Sequence, residues 1–508
     1  MLRSDSYKKG IILSVVFNFT ARLLGFAVSL VIAFYFGTKT DADIYFYCIA
    51  AIAMLAGFIS SANSGAIIPE AMRIAKQESQ ENAQRFLNVF LYAYAALAAA
   101  LAVLIAAEPV RLLGLISRFG PDELNRNLLL IATAGLLLSL QIVSAFLIET
   151  AASYKFFVVP MLSNILVNLA ALAAMALFHG SLGTASVALG LACGNALQIG
   201  FLVLLFKKRL HWDFRPRFHK MRPQVLANLF YTQLGNAITA ASAYIPLFML
   251  SGLGQGIVSA FNYGKQLAET PNLFLTLQFS SVTGIKMNEL NAAGDTRGLN
   301  AVFLRSANFL SFALVPAAFF LAAFSGEIIA VLYMRGNFGS KSAETTAMFL
   351  AYFALLLPML GINTIIARLF MATQRIRDGM LVQIASNLLI IAFVFYGIKL
   401  AGPAGYPLAL VMFYLLYVAA MAPVLRALYP WLEYGKTLSF LAKTAVINTA
   451  AFALIIRAKE QTAFLTPAGN IAFWFAVCAS AALWLNHKFN FCPDARDFAG
   501  KVFGAMRK

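Results

Sequence analysis

Charge is what this sequence has least of. Only 12% of its 508 residues are Asp, Glu, Lys or Arg, against 61% hydrophobic, and so little polar surface cannot cover so much apolar volume in water. A soluble globule is excluded, and an all-α polytopic membrane protein is expected. Histidine and cysteine are scarce too, at four each. His179, His211, His219 and His487 stand apart in loops or at helix ends. Cys48, Cys193, Cys478 and Cys492 show neither disulfide nor metal-ligand spacing and read as packing residues. There is no HExxH, no GxSxG and no Walker glycine loop. No enzyme, metal or cofactor is expected, and transport by this chain would not run on its own ATP hydrolysis.

What the sequence does have is long apolar runs, enough for about 14 spans. The first, Ile11 to Phe36, is longer than a signal-peptide core, carries Arg22 and leads straight into a second, so it reads as a retained span. A net charge of +18 would point to nucleic acid in a soluble protein. Here Lys and Arg gather in alternate short loops, which is a topology signal, and no nucleic-acid partner is expected. The bias puts both termini in the cytoplasm. The most basic loop, KKRLHWDFRPRFHKMRP, carries Lys207, Lys208, Arg209, Arg215, Arg217, Lys220 and Arg222. It reads either as a positive-inside linker or as a docking site for anionic lipid or a partner.

The chain also repeats itself at an offset of roughly 220 residues. SSANSGAIIPEAM from Ser60 lies on SSVTGIKMNEL from Ser280, and AASYKFFVVPMLSNILVNL from Ala151 on MATQRIRDGMLVQIASNLL from Met371. With an even number of spans per half, the halves enter the membrane in the same sense, and their pseudo-two-fold axis lies along its normal. The expected organisation is a six-helix lobe at 1–210, a basic linker at 211–224, a second six-helix lobe at 225–430, and an extra helix pair with a basic tail at 431–508.

Within this frame few residues can carry chemistry. Arg22 falls near the middle of the first run, where an arginine costs on the order of 3 kcal/mol on insertion scales. It reads as a fixed charge that takes phosphate or carboxylate by forked hydrogen bonds, the alternative being a structural pair with a group such as Glu149. Lys265 with Glu269 one turn on is either an ion pair or, through Lys265, a substrate contact. Asp41 and Asp43, at the outer end of the first hairpin, either gate an entrance or are simply solvated. Ser60, Ser61, Asn63 and Ser64 make the inner end of the second helix polar, and Asn164 with Asn168 form a strip on the fifth. Each lines a wet cavity or bonds helix to helix. Pro246, Pro271 and Pro358 fall inside spans and favour bends there.

ARLLGFAVSLVIAFYFGTKTDAD, with Arg22, Leu24, Gly25, Phe26, Phe36, Gly37 and Asp43, resembles the opening of the MurJ (MviN) lipid II flippases of the multidrug/oligosaccharidyl-lipid/polysaccharide exporter superfamily. YGKQLAETPNLFLTLQFSSVTGIKMNELNAAGD, from Tyr263, is similar to that family's eighth helix and the loop after it. The resemblance implies a 14-helix inner-membrane flippase that moves a polyprenyl-pyrophosphate-linked saccharide outward by alternating access, with cavity cations on the diphosphate. Substrate contacts then fall to Arg22, Lys265, Gln266, Asn63 and Ser64, and gating or ion pairing to Asp43 and Glu269. The chain departs from the family pattern at Val28, at Leu55 and Ala56, and at Gln266, where the family carries further arginines. The glycan is thus open between lipid II and a related lipid-linked precursor. Cell-envelope synthesis partners, and coupling to membrane potential, sodium or protons, stay open as well. Two other readings are a cation-coupled multidrug exporter of the same superfamily and a membrane scaffold that transports nothing.

Overall fold

The computed structural model describes residues 7–156, 158–217, 221–459, 461 and 466–489. His219, Lys220 and Cys492 lie outside them. Among the described residues there is no strand, and nine helices are long and apolar enough to cross a membrane, or ten if one bent pair counts as a single span. One of the nine, the 53-residue Ile376–Leu428, is two helices joined across non-helical backbone at Ala401 and Gly402. The expected number of about 14 is consistent with these segments.

By backbone proximity the chain divides into two units, 1–259 with 335–339, and 260–334 with 340–508. The first unit holds α1 (Tyr7–Phe36), α2 (Thr40–Ala62), a π turn at Asn63–Ile67, α3 (Ile68–Gln77), α4 (Gln80–Ala107), α5 (Pro109–Ile116), α6 (Pro121–Arg126), α7 (Leu128–Ser153), α8 (Val159–Leu182), α9 (Ala185–Arg209) and α10 (Pro223–Leu250). Gly37, at φ +63°, turns the chain between α1 and α2 in the left-handed region that a side chain resists. Inside the spans the side chains are nearly all apolar, so specificity of packing rests on small residues. Gly190 and Gly194 of α9 bring its backbone onto α8, where an added Cβ would meet Ala171 and Val167.

The two ends of this unit differ in character. At one end the last turns of α1, α8 and α10 meet the first turn of α2. There Tyr35 stacks on His179, Tyr47 and Tyr244 both donate to the Ile116 carbonyl, and the Arg118 N–H donates to Ser251. At the other end the α3–α4 turn receives the basic linker. Asn88 of α4 donates to the Asp213 carbonyl at 2.7 Å and accepts from Trp212 Nε1 at 2.8 Å, while Tyr92 donates to the Phe214 carbonyl. Trp212 is buried between Phe206 and Tyr154, and Arg217 and Arg222 face Glu81 and Glu70 at 3.5 and 3.8 Å. The described start of the linker is therefore bolted to the helices it follows.

The second unit opens within α11 (Ile257–Pro271) and continues through a π turn at Asn272–Thr276, α12 (Leu277–Ala292), α13 (Thr296–Ala323), α14 (Ser325–Tyr333), α15 (Ser340–Ala354), α16 (Leu357–Ala372), the two-part α17 (Ile376–Leu428), α18 (Tyr434–Lys459) and α19 (Pro467–Phe489). The order echoes the first unit. A long helix interrupted by a π turn precedes a capped 28-residue helix and then a short one, and Ser79 caps α4 as Asp295 caps α13. Proline explains the bends. Pro271 stands just before the second π turn, Pro69 just after the first, and Pro358 opens α16 after a 41° bend from α15.

The extra pair is fastened at both ends. At the start of α18, the Glu433 N–H donates to Asn300 Oδ1 and Asn300 Nδ2 donates to Glu433 Oε2, each at 3.0 Å. Lys436 and Asn300 hold the exposed Glu433 carboxyl below its usual range. At the far end Lys459 donates to Glu327 at 2.6 Å and to the Ala323 carbonyl at 3.1 Å and lies over the Phe324 ring. Between them Phe320, Phe324, Phe452 and Trp474 pack together. Cysteine packing holds for buried Cys48 and half-buried Cys478. It fails for Cys193, which is exposed on α9 because its turn faces away from α7 and α8.

Two outcomes follow. Asn88→Ala removes an acceptor and a donor at once, costs about 1–3 kcal/mol locally, and speeds tryptic cleavage after Arg217 with the spans intact. Lys459→Met leaves Glu327 unpaired and costs about 1–3 kcal/mol, read as a lower unfolding temperature of the full chain in detergent.

Candidate functional site

Arg22 is the one charged side chain of the apolar segment Phe17–Phe36. It is half-buried on α1, and among the described residues it has neither a hydrogen bond nor an ion pair. The pairing with Glu149 of α7 allowed by the sequence is not made among the described residues. One turn on from Arg22, Gly25 leaves room for Asn168 of α8, whose Oδ1 would lie 3.7 Å from an added Cβ. Asn168 Nδ2 donates to the Asn164 carbonyl, so the expected polar strip exists on α8.

Asp43 occupies a different position from a solvated loop carboxylate. It is 1% exposed, in the first turn of α2. Its Oδ2 accepts from the Gly256 N–H at 2.5 Å, and its Oδ1 from the Ser259 N–H at 2.7 Å and the Ser259 hydroxyl at 2.6 Å. A buried carboxylate is tolerable here because it answers the unpaired N–H groups at the start of α11. Gly256, at φ +86°, lies so close to Thr38 that a Cβ would sit 2.8 Å from its carbonyl. Beside this clasp, the backbone N–H and the side chain of Asn337 donate to the carbonyls of Phe34 and Tyr35 at 3.0 and 2.5 Å. Asp41 remains half-buried and accepts from the Ala42 N–H at 3.0 Å.

The π turn after α2 holds the next group. Asn63 is fully buried and its Oδ1 accepts from the Tyr94 hydroxyl at 3.4 Å, while its Nδ2 has no partner among the described residues. Ser64 is exposed and donates to the Ser60 carbonyl at 2.9 Å. Ser61 takes a hydrogen bond from Asn236 of α10, whose neighbour Gln233 donates to the Phe58 carbonyl at 2.9 Å. Of this polar end, then, Ser64 faces outward, whereas Asn63 and Ser61 tie helices together.

In the second unit Lys265 and Glu269 of α11 face each other at 3.8 Å and both are half-buried. Lys265 Nζ also lies 5.5 Å from the centre of the Phe261 ring. Gln266 is half-buried and its carbonyl accepts from Thr270. The same unit contains a cavity of about 490 Å³ between α16 and both parts of α17, lined by Asn363, Gln383, Ser386, Asn387, Tyr414 and Tyr417 among apolar groups. Sequence reasoning did not find this cavity, nor the role of Asp43. The groups that meet Asp43 stand 213 and 216 residues away, and no local pattern announces them. Among the described residues no cluster of three His, Cys, Asp or Glu could hold a metal.

Comparison with known proteins identifies the family of the chain. Residues 32–468 match the family described as "Lipid II flippase MurJ". A "Probable lipid II flippase MurJ" of Borreliella burgdorferi is 24% identical over 408 residues, covering 78% of this chain and 79% of the relative. One of Aquifex aeolicus is 24% identical over 366 residues, 70% of each. Among solved structures, "Lipid II flippase MurJ, inward closed conformation" shares the fold at a TM-score of 0.76 and 18% identity, over 96% of this chain and 100% of that one. A multidrug resistance MATE family transporter of the MOP superfamily, inward-facing, follows at 0.63 and 12%, over 89% and 99%. With its family match running across most of the chain, from the end of α1 to the start of α19, this multi-pass membrane protein belongs to the MurJ family.

Proposed function

We propose that this chain is a flippase that carries a polyprenyl-pyrophosphate-linked saccharide, lipid II or a related lipid-linked glycan precursor, outward across the bacterial inner membrane by alternating access. The observation that carries the reading is Arg22, a guanidinium inside an apolar span with no protein partner among the described residues. An unpaired arginine at that depth is retained at a cost of a few kcal/mol, and an anionic ligand repays it. Its fork suits the paired oxygens of a diphosphate. The likeness to MATE transporters concerns the fold alone and does not favour drug efflux.

The rest of the cycle is assigned on the same basis. The face carrying Lys207, Lys208, Arg209, Arg215, Arg217 and Arg222 is cytoplasmic by the positive-inside rule, which puts both termini there and Asp43 at the outer end. The moving lobes are 1–210 and 225–430, joined by 211–224, with 431–508 as the added pair. Asp43 with Gly256 and Ser259 is the outer latch. While its carboxylate caps α11 the outer end is shut, and release outward requires these bonds to part. Ser64, exposed beside the π turn, adds a hydroxyl contact, and Lys265 becomes a second cation for the diphosphate when it leaves Glu269. Gln266, uncharged where the family carries arginine, contributes an amide to the sugar or the phosphate. Cell-envelope synthesis enzymes are the natural partners, since they make and consume such a precursor.

In proteoliposomes given a fluorescent polyprenyl-pyrophosphate-linked saccharide, Arg22→Ala is expected to lower flipping about ten- to hundredfold, the worth of one or two charge-assisted hydrogen bonds. Arg22→Lys recovers part of the rate. Unchanged flipping by a correctly inserted Arg22→Ala protein would sink the assignment. For the latch, Asp43→Asn turns an N–H toward another N–H, costs about 1–3 kcal/mol of the closed outer end, and raises labelling of a cysteine at Thr38 by a membrane-impermeant maleimide. Labelling as slow as in the parent would remove Asp43 from the gate.

A further inference from the structure

The cavity between α16 and the two parts of α17 is built from three helix faces. Its lining residues recur at helical spacing, from Asn363 to Met371 on α16, from Ile376 to Ile390 on the first part of α17 and from Phe413 to Tyr417 on the second. The lining is graded. Met371, Ile376 and Met380, beside the turn that joins α16 to α17, are apolar and exposed. About 10–15 Å further along the helices, at 1.5 Å per residue, lie six uncharged polar side chains, Asn363, Gln383, Ser386, Asn387, Tyr414 and Tyr417. No Asp, Glu, Lys, Arg or His is among the lining residues.

Amides and hydroxyls gathered inside apolar helices carry a desolvation cost unless they find partners. Bonds between and within the helices use only part of their capacity here. The Tyr417 hydroxyl donates to Asn363 Oδ1 at 2.9 Å, which fixes that amide and leaves its Nδ2 without a partner among the described residues. The Ser386 hydroxyl donates to the Val382 carbonyl at 2.7 Å and keeps lone pairs able to accept. The Tyr414 hydroxyl makes no hydrogen bond among the described residues. At about 490 Å³ the space falls within the range of small-molecule sites, roughly 300–1,000 Å³.

Each feature of the lining narrows the ligand. A charged group would meet no counter-charge, so the ligand is neutral there. An alkyl chain alone would leave all six polar groups unanswered, and a single hydroxyl would answer one or two. Amides and hydroxyls side by side fit a ligand that both donates and accepts at several points around its edge. The rings add apolar faces. Phe413 and Tyr417 stack with 5.8 Å between centres and 27° between planes, and Tyr414 stands edge-on to both. A sugar ring has this combination, with hydroxyls around its edge and C–H groups across its faces.

We propose that this cavity is a binding site for an uncharged sugar ring, with the exposed apolar mouth taking an alkyl chain where the ring is borne by a lipid. The site belongs to the second unit alone, whereas Arg22 belongs to the first, and the inference does not need the flippase reading. Binding makes and breaks no covalent bond.

The test uses the full chain in phosphatidylcholine nanodiscs prepared without any glycoside detergent. The probe is an alkyl β-glucoside with a diazirine near the sugar end of its chain, used below its micellar concentration, and labelled positions are read by peptide mass spectrometry. Labelling is expected within 363–390 and 413–417. Excess octyl glucoside removes it, whereas octyl phosphocholine and octanol do not. Asn363→Leu and Ser386→Leu each lower the labelling about two- to tenfold, the effect of one neutral hydrogen bond. Competition in the parent needs no variant, so the test survives a variant that fails to fold. Protection by free glucose as well assigns the site to sugars in solution, and protection by octyl glucoside alone assigns it to a lipid-borne sugar. Equal protection by octanol or octyl phosphocholine, no labelling of these helices, or undiminished labelling of both folded variants would each overturn the proposal. Flipping is not measured, so such a failure leaves the flippase reading where it stands.

Discussion

A peptide group in hydrocarbon has no water to bond, and the rest of this structure follows from that one fact. Each span must close its hydrogen bonds within itself, so the described residues are helical throughout the apolar segments. Departures from the regular ladder occur where other protein covers them. The first π turn lies under α3, α7 and α10, and the second against α12, α13 and α16. Among the described residues, the one in the left-handed region inside a long apolar segment is Gly402, at φ +59°, where α17 doubles back and needs a residue without a Cβ.

The same scarcity of water makes every charged side chain in a span an account that has to close. Asp43 closes it with the orphan N–H groups of α11, which also need an acceptor, so two costs cancel in one contact. Lys265 and Glu269 close it with each other. Lys459 reaches Glu327, a carbonyl and an aromatic face at a helix end. Arg22 stands apart from this pattern. It is not paired with Glu149 among the described residues, although the sequence allowed it. An uncompensated guanidinium in a span is better suited to a ligand than to a structural bridge.

How much of this could be read beforehand depends on range. Composition and the length of apolar runs made an all-α membrane protein legible, because the membrane filters on those two properties alone. Arg22 was legible for the same reason, as an exception inside a run. Proline marked the bend before α16 at Pro358 and the π turn after Pro271, whereas Pro246 lies inside the unbroken α10. Asp43 was not legible as a cap, since its partners lie more than 200 residues away and its local context, KTDAD, reads as a wet loop. Asn63 was expected at the substrate and proves fully buried, because the π turn rotates its side chain inward toward Tyr94 while Ser64 faces out. A helical-wheel argument assumes 3.6 residues per turn and fails where one turn is wider.

The sparse charge also bears on what the proposed anion site at Arg22 can ask of its ligand. On that reading, with Val28, Leu55 and Ala56 where related sequences are expected to carry cations, a diphosphate at Arg22 meets few fixed charges in the first unit, and Arg22 must act with less help. A single guanidinium binds an anion less tightly, but it also releases it more easily. Alternating access needs both steps, so on the proposed reading a single guanidinium trades tight capture for ready release, and the change of conformation, in place of a second arginine, sets the balance between them.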